Sequence, residues 1–257
     1  MSGKNWHAWF LGAVTVGGVA TTFWFAPLPQ DPTYHAFADH RTCFGTHNCW
    51  NVCSNLPFVL VGAFGLRRLS WLQPSAPRSA YVVFCLGVIL VGFGSAYYHH
   101  APSTPALVWD RLPITIALMA LFAMVVHDRM SAQGGRIMLW PLVCAGVASV
   151  GYWYWSETQG QGDLRAYGVI QFLPMLLIAL MLLICRGKGL SAPWLWGALG
   201  TYALAKVAEH FDKTLYDATG IVSGHSLKHV LGALAVLWVV FAVLGCNRRQ
   251  RRTRAWS

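Results

Sequence analysis

The chain has 257 residues, of which 56% are hydrophobic and only 11% are charged. Soluble domains carry about 25% charged residues, so this composition excludes an ordinary soluble domain. The formal net charge is +10, and a basic balance can signal nucleic-acid binding. Much of the excess lies in the stretch 247–254, which we interpret as an anchor beside anionic membrane lipid and not as a nucleic-acid site.

Runs of roughly 20 apolar residues recur along the whole chain, and an α-helix needs about that many to cross the hydrocarbon core of a bilayer. Backbone groups find no water there, so each run must be helical to satisfy its own hydrogen bonds. We therefore predict an all-α, polytopic membrane protein. The eight predicted spans cover residues 6–26, 50–71, 80–100, 109–127, 136–155, 166–185, 194–212 and 225–245.

Eight spans place both termini on the same side of the membrane. Most of the 19 lysines and arginines fall on that side, which the positive-inside rule assigns to the cytoplasm. The first span is too long for a typical signal peptide and lacks a small-residue cleavage site, which favours a retained helix. Short loops suggest a bacterial inner membrane, with an internal eukaryotic membrane as the alternative.

A longer segment, residues 31–48, connects the first two spans on the side away from the termini. Two interpretations of this segment remain open, namely a cap over the mouth of a site and a solvated loop. Cys43 and Cys49 fall in and beside it, and a disulfide between them is compatible with a non-cytoplasmic location.

Polar and ionisable side chains gather at the ends of several spans. His225 and His229 are four residues apart, so they share one face of a helix, and Ser95 and His99 have the same spacing. Ionisable residues inside a membrane are costly and are usually functional. Three histidines with an open fourth position are typical of a catalytic zinc site, and Asp110 could lie beside that position.

At these residues the sequence resembles the alkaline ceramidases and the wider CREST superfamily of membrane hydrolases. The resemblance covers roughly residues 48–245 and implies a seven-helix transmembrane core, so the first span resembles an N-terminal addition. We accordingly divide the chain into an N-terminal helix (1–30), a ceramidase-like domain (31–245) and a basic cytoplasmic tail (246–257). The motifs that carry the resemblance are Gly94-Ser95-x-x-x-His99, Asp110-x-x-Pro113, His225-x-x-x-His229 and the earlier Trp50-Asn51-x-x-Ser54-Asn55.

The resemblance implies a membrane-embedded enzyme with zinc on His99, His225 and His229, and with Ser95 and Asp110 contacting the water at the metal. Its substrate would be ceramide or a related N-acyl lipid, cleaved at the amide bond. Ser95 as a nucleophile is the rival role for that residue. The alternative functions are a CREST esterase or phospholipase with the same zinc, a lipid receptor with structural zinc, and a transporter or proton channel.

The sequence also departs from the family. Animal alkaline ceramidases carry an acid two residues before the Trp-Asn pair, within a calcium site, whereas this chain has Asn48 there. Asp31 and Asp39 lie upstream with a different spacing, which argues against calcium. Four residues near the end of the seventh span could support the site, but we expect them to line its mouth or to be solvated: Glu209, His210, Asp212 and Asp217. The sequence leaves the acyl-chain preference, head group and oligomeric state open.

Overall fold

The computed structural model describes residues 6–245, and within this range the chain is all-α and contains no strand. The predicted basic tail lies outside the described residues, as do residues 1–5. Short 3-10 helices occupy Pro32–His35 and Leu69–Trp71. The α-helices of the described range are α1 (Trp6–Trp24), α2 (Cys49–Cys53), α3 (Leu56–Arg67), α4 (Arg78–His100), α5 (Thr104–Arg129), α6 (Ala132–Thr158), α7 (Arg165–Ile184), α8 (Ala192–His210), α9 (Asp212–Thr219) and α10 (Gly224–Leu244).

A helix lies at each of the eight predicted spans, and the all-α class is confirmed. In the described part of the chain, six helical segments are long and apolar enough to cross a membrane: Cys49–Arg67, α4, α5, α6, α7 and α10. Their large apolar side chains are often exposed, as Phe93, Ile137 and Leu183 illustrate, which suits helices facing lipid. The protein is thus a multi-pass membrane protein.

The two remaining predicted spans are α1 and α8, which do not reach the same apolarity. Both are 19 residues long. Threonines, glycines and tryptophans dilute the apolar residues of α1, and α8 carries Lys206 and Glu209 near its end. The total of eight spans, with a seven-helix core and one added helix, therefore stays a prediction, as does the division into domains at residues 30 and 245.

The second predicted span is interrupted. α2 ends at Cys53 and α3 begins at Leu56, with Pro57 in the first turn of α3. Proline has no N–H, so Pro57 cannot donate to the Cys53 carbonyl and the helix does not run through. The interruption separates Asn51 from Asn55, and Ser54 faces His229 of α10.

The described chain forms two compact units. The first comprises residues 6–30, 75–84 and 115–190. There, Gly18 of α1 lies against Leu173 of α7, and Arg165 at the start of α7 binds both the Asp163 carboxylate and the Phe25 carbonyl. These contacts hold α1 alongside α7, with the end of one beside the start of the other.

The second unit comprises residues 31–74, 85–114 and 191–245 and contains every residue predicted for the site. α8 runs antiparallel to α10. Trp194 stacks on Trp238 with 5.0 Å between ring centroids, while at the other end the backbone of Gly224 lies against the Ala208 carbonyl. The N-terminal end of α10 therefore lies beside the C-terminal end of α8.

Candidate metal centre

Three histidines from two helices meet inside the second unit. His99 comes from the end of α4, and His225 and His229 come from the first two turns of α10. All three are buried, and their potential ligand atoms lie within 4.8 Å of one another. The structure thus brings together the three predicted ligands, although His99 and His225 are 126 residues apart along the chain.

The spacing of the His99 and His225 nitrogens fits a small tetrahedral ion. Zinc lies about 2.0–2.1 Å from histidine nitrogen, so two nitrogens on one tetrahedral zinc are about 3.3 Å apart. The Nε2 atoms of His99 and His225 are separated by 3.3 Å. The buried Nε2 of His229 has no hydrogen-bond partner among the described residues. An orphaned buried acceptor is costly, and a metal ion would satisfy it.

Ser54 fixes which nitrogen of His229 faces the group. The Ser54 hydroxyl donates to the Asn51 carbonyl (3.1 Å), so its oxygen accepts from His229 Nδ1 at 2.8 Å. The His229 side chain also lies within hydrogen-bonding reach of the Asn51 backbone. With its proton on Nδ1, His229 presents the lone pair of Nε2 toward His99 and His225. Histidines that bind metals are commonly oriented in this way.

The Trp50-Asn51-x-x-Ser54-Asn55 motif therefore supports the site, although the sequence did not predict Ser54 or Asn51 as site residues. Asn51 is fully buried, and its side chain donates to the Asp39 carbonyl and accepts from the Ser226 hydroxyl at 2.8 Å. It joins the segment before α2 to the first turn of α10. The motif was the available signal, but spacing alone does not reveal which histidine it contacts.

Ser95 and Asp110 are both buried and are hydrogen-bonded to each other. Ser95 lies one turn before His99 on the same face of α4. A β-carbon on Gly94 would lie 2.0 Å from the Trp109 carbonyl of α5, so only glycine permits this approach. Pro113 has no N–H to donate to that carbonyl. The Gly-Ser and Asp-x-x-Pro motifs thus describe one helix crossing that brings serine and aspartate together.

Charged side chains surround the histidines. Lys228, which lies between His225 and His229 along α10, contacts Glu209 Oε1 at 2.7 Å, and Lys206 contacts Glu209 Oε2 at the same distance. Glu209 is therefore not a solvated acid. It anchors α10 to α8 by an ion pair whose two lysine side chains are partly shielded from solvent.

Tyr34 and His35 occupy the 3-10 helix that precedes α2. Burial raises the pKa of Tyr34, and the nearby carboxylates of Glu209 and Asp110 raise it further, so its hydroxyl stays protonated. His35 contacts the Tyr98 hydroxyl at 2.9 Å, and burial followed by the charge of Arg111 lowers its pKa. Both side chains are therefore neutral near pH 7, so they form hydrogen bonds beside the site without contributing a net charge to it.

Residues 31–48, which we name the capping segment, cover the histidines. The Phe37 ring is buried and lies 4.7 Å from the His99 ring and 4.5 Å from the His225 ring, measured between centroids. The Asn48 side chain donates to the His99 carbonyl at 3.0 Å. Of the two interpretations left open by the sequence, the structure therefore favours the cap over a solvated loop.

The capping segment is fastened by a disulfide and an ion pair. Cys43 is bonded to Cys49, as the sequence allowed. Burial alone would raise the pKa of Asp39, but hydrogen bonds from Arg41 outweigh it and hold that pKa below its usual range. Arg41 also donates to the Ile221 carbonyl. Arg41 therefore occupies the Asp39 carboxylate, and the expected lack of a calcium site stays a prediction.

Comparison with known families bears on the same residues. The model of the family described as Ceramidase matches residues 46–256, most of the chain and all five predicted site residues. The chain belongs to the ceramidase family. The family match begins within the capping segment and does not include Phe37 or Asp39. Among curated proteins, no significant match to this chain was found.

Among the described residues, the histidine group is the one set of three or more histidines, cysteines or acids that could hold a metal ion. His100, next to His99, is exposed and stands outside the group. The four polar residues at the end of α8 and in α9 do not share one environment. Glu209 is paired with two lysines, His210 is exposed, Asp217 is exposed and paired with Lys213, and Asp212 bridges two backbone amides.

Proposed function

We propose that this ceramidase-family protein is a zinc-dependent hydrolase that cleaves the amide bond of ceramide or a related N-acyl lipid. The observation that carries the proposal is the meeting of three buried histidines whose potential ligand atoms lie within 4.8 Å of one another. His99, His225 and His229 would hold the zinc and leave a fourth position open. A zinc ion there would supply a Lewis acid and would make water acidic enough to react near neutral pH.

The residues of the chain supply the proton transfers. The Asp110 carboxylate would accept a proton from the attacking water and deliver it to the departing nitrogen as the carbon–nitrogen bond breaks. The Ser95 hydroxyl, hydrogen-bonded to Asp110, would donate to the developing oxyanion or orient the water. Water adds to the acyl carbon, so the products are a fatty acid and an amine base.

The first test combines metal analysis with a histidine pair. We expect about one zinc per purified chain, and we expect His225→Ala to lose both the zinc and the turnover because two histidines seldom retain the ion. His100→Ala is the matched control, since the neighbouring His100 is exposed and should leave zinc content and activity unchanged. Full activity in a metal-free preparation would refute the mechanism.

The zinc chemistry serves amides and esters alike, so the alternative within this reaction class is an esterase or phospholipase. A panel of ceramides and phospholipids, followed by detection of the released amine or alcohol, separates the two. We expect amine release from N-acyl lipids. Cleavage of esters alone would replace the amidase with the esterase.

An enzyme is favoured over a lipid receptor by the pairing of Ser95 with Asp110, because a structural zinc needs neither residue. A transporter or proton channel ranks lowest, since it predicts ionisable groups through the whole depth of the membrane. We also propose that the chain crosses a bacterial inner membrane eight times with both termini in the cytoplasm, which places the site near the opposite face. The distribution of basic residues supports this orientation.

A further inference from the structure

Asp212 links two parts of the second unit that meet over the histidines. It is the first residue of α9 and is half-buried. One carboxylate oxygen accepts from the backbone N–H of His225 at 2.7 Å, and the other accepts from the backbone N–H of Ala38 at 3.0 Å. The first of these residues is a candidate metal ligand, and the second follows Phe37, whose ring covers two of the ligands.

The contact between Asp212 and His225 satisfies a backbone N–H group at the start of α10. The first N–H groups of a helix have no partner within it, and the helix dipole stabilises a carboxylate at that end. Ser223 accepts from Ser226 at the start of α10, which leaves the His225 amide to Asp212. Gly224 makes room for this approach, because a β-carbon there would lie 2.7 Å from the Asp212 α-carbon.

We propose that Asp212 is a positioning residue of the metal centre, which it does not itself touch. It sets the first turn of α10, and hence His225, and it holds the capping segment so that Phe37 stays over the His99 and His225 rings. The inference rests on the proposed zinc function and adds a cause for metal retention. With one carboxylate fastening both the ligand backbone and its cover, water-soluble chelators reach the ion slowly.

The test compares Asp212→Asn with the wild-type chain and with Asp217→Asn. Asparagine preserves the size of the side chain but offers one acceptor oxygen where two are needed, so one of the two backbone bonds is lost. Asp217 lies on the same helix, is exposed and pairs with Lys213 at 2.7 Å, which makes Asp217→Asn the matched control. Asp212→Ala removes both acceptors and serves as the stronger variant.

Two quantities are measured on folded protein below its melting temperature, namely zinc affinity by chelator competition and the rate of zinc release to excess chelator. Loss of groups that orient metal ligands typically weakens metal binding by about 10- to 100-fold, and we expect Asp212→Asn to fall in that range. We expect Asp217→Asn to match the wild type. Unchanged zinc affinity and release in a folded Asp212→Asn protein would overturn the proposal.

Amide hydrogen exchange of the metal-free proteins separates this inference from the proposed function. We expect Asp212→Asn to accelerate exchange at Ala38 and His225, whether or not zinc is bound. If the wild type binds no zinc, the proposed function fails while this exchange result still stands. If zinc binds and neither the exchange nor the affinity changes, the positioning role fails alone.

Discussion

Ser54 contacts the candidate metal centre through one hydrogen bond to the far side of a histidine ring. Its oxygen lies 2.8 Å from His229 Nδ1, and its own proton is committed to the Asn51 carbonyl at 3.1 Å. The bond sets the tautomer of His229 and limits rotation of the ring. We expect a residue of this kind to contribute to metal binding without approaching the metal.

Replacing Ser54 tests that contribution. We expect Ser54→Ala to weaken zinc binding by about 10- to 100-fold, because His229 loses the acceptor that keeps its proton on Nδ1. Ser54→Thr retains the hydroxyl and should keep most of the affinity. Equal zinc affinity for the alanine and threonine variants, measured by chelator competition, would mean that the bond has no such role.

The candidate ligands were predictable at the residue scale because each spacing has a direct geometric meaning. His225 and His229 are one helical turn apart, and Ser95 and His99 repeat that relation. The supporting contacts were less predictable. Asp212 uses its carboxylate on the backbone of Ala38 and His225, and backbone amides look the same at every position of a sequence.

Helix α4 approaches α5 closely at Gly94. The space for a side chain is absent there, because the Trp109 carbonyl lies where a β-carbon would be. Gly92, two residues earlier, faces the side chain of Val59 and the Asn55 carbonyl in the same way. Small residues of this kind let helices pack closely in membranes, where apolar burial alone does not drive helices together.

Gly94→Ala is expected to force α4 and α5 apart and to disturb the hydrogen bond between Ser95 and Asp110. We expect a loss of stability of about 1–3 kcal/mol, the usual cost of overpacking, together with reduced turnover. Gly200→Ala is the control, because a β-carbon at this position of α8 meets nothing within 4 Å. Thermal unfolding in detergent measures the stability of both variants, and equal melting temperatures for Gly94→Ala and Gly200→Ala would contradict this packing argument.

The helices themselves followed from the length of the apolar runs, but their ends and interruptions did not. Pro57 interrupts the second span, because it lies in the first turn of a new helix. Proline is common at that position, but the sequence shows only one continuous apolar run and does not reveal that a helix starts there. α9 also escaped prediction. It is eight residues long, and isolated helices of that length are marginal, so its formation depends on tertiary contacts.

At the scale of the whole molecule, the neighbours of α1 and α8 bear on the number of spans. α8 lies antiparallel beside α10, with Trp194 on Trp238 near one end and Ala208 beside Gly224 near the other. A helix that follows a spanning helix along its length covers a similar depth of the bilayer. α1 lies along α7 in the same manner, and 19 residues of helix extend about 28 Å, close to the thickness of the hydrocarbon core.

These relations support the proposed eight spans, and reporter fusions test the orientation. A green fluorescent protein joined after the last residue of the full chain should fluoresce, since it folds efficiently only in the cytoplasm. An alkaline phosphatase at the same place should be inactive there, and one inserted at Gly160, between α6 and α7, should be active. The reverse pattern would show that the proposed orientation is wrong.

Two of the three histidines lie on α10, the last described helix, and His99 lies on α4. The centre consequently cannot assemble on the ribosome until nearly all of the described chain has been made. A chain arrested before α10 would insert several helices but would lack two candidate ligands. Under the proposed function, incomplete chains would therefore not hydrolyse the surrounding lipid. Metal binding would then occur only at a late stage of biogenesis, after α10 has joined the other helices.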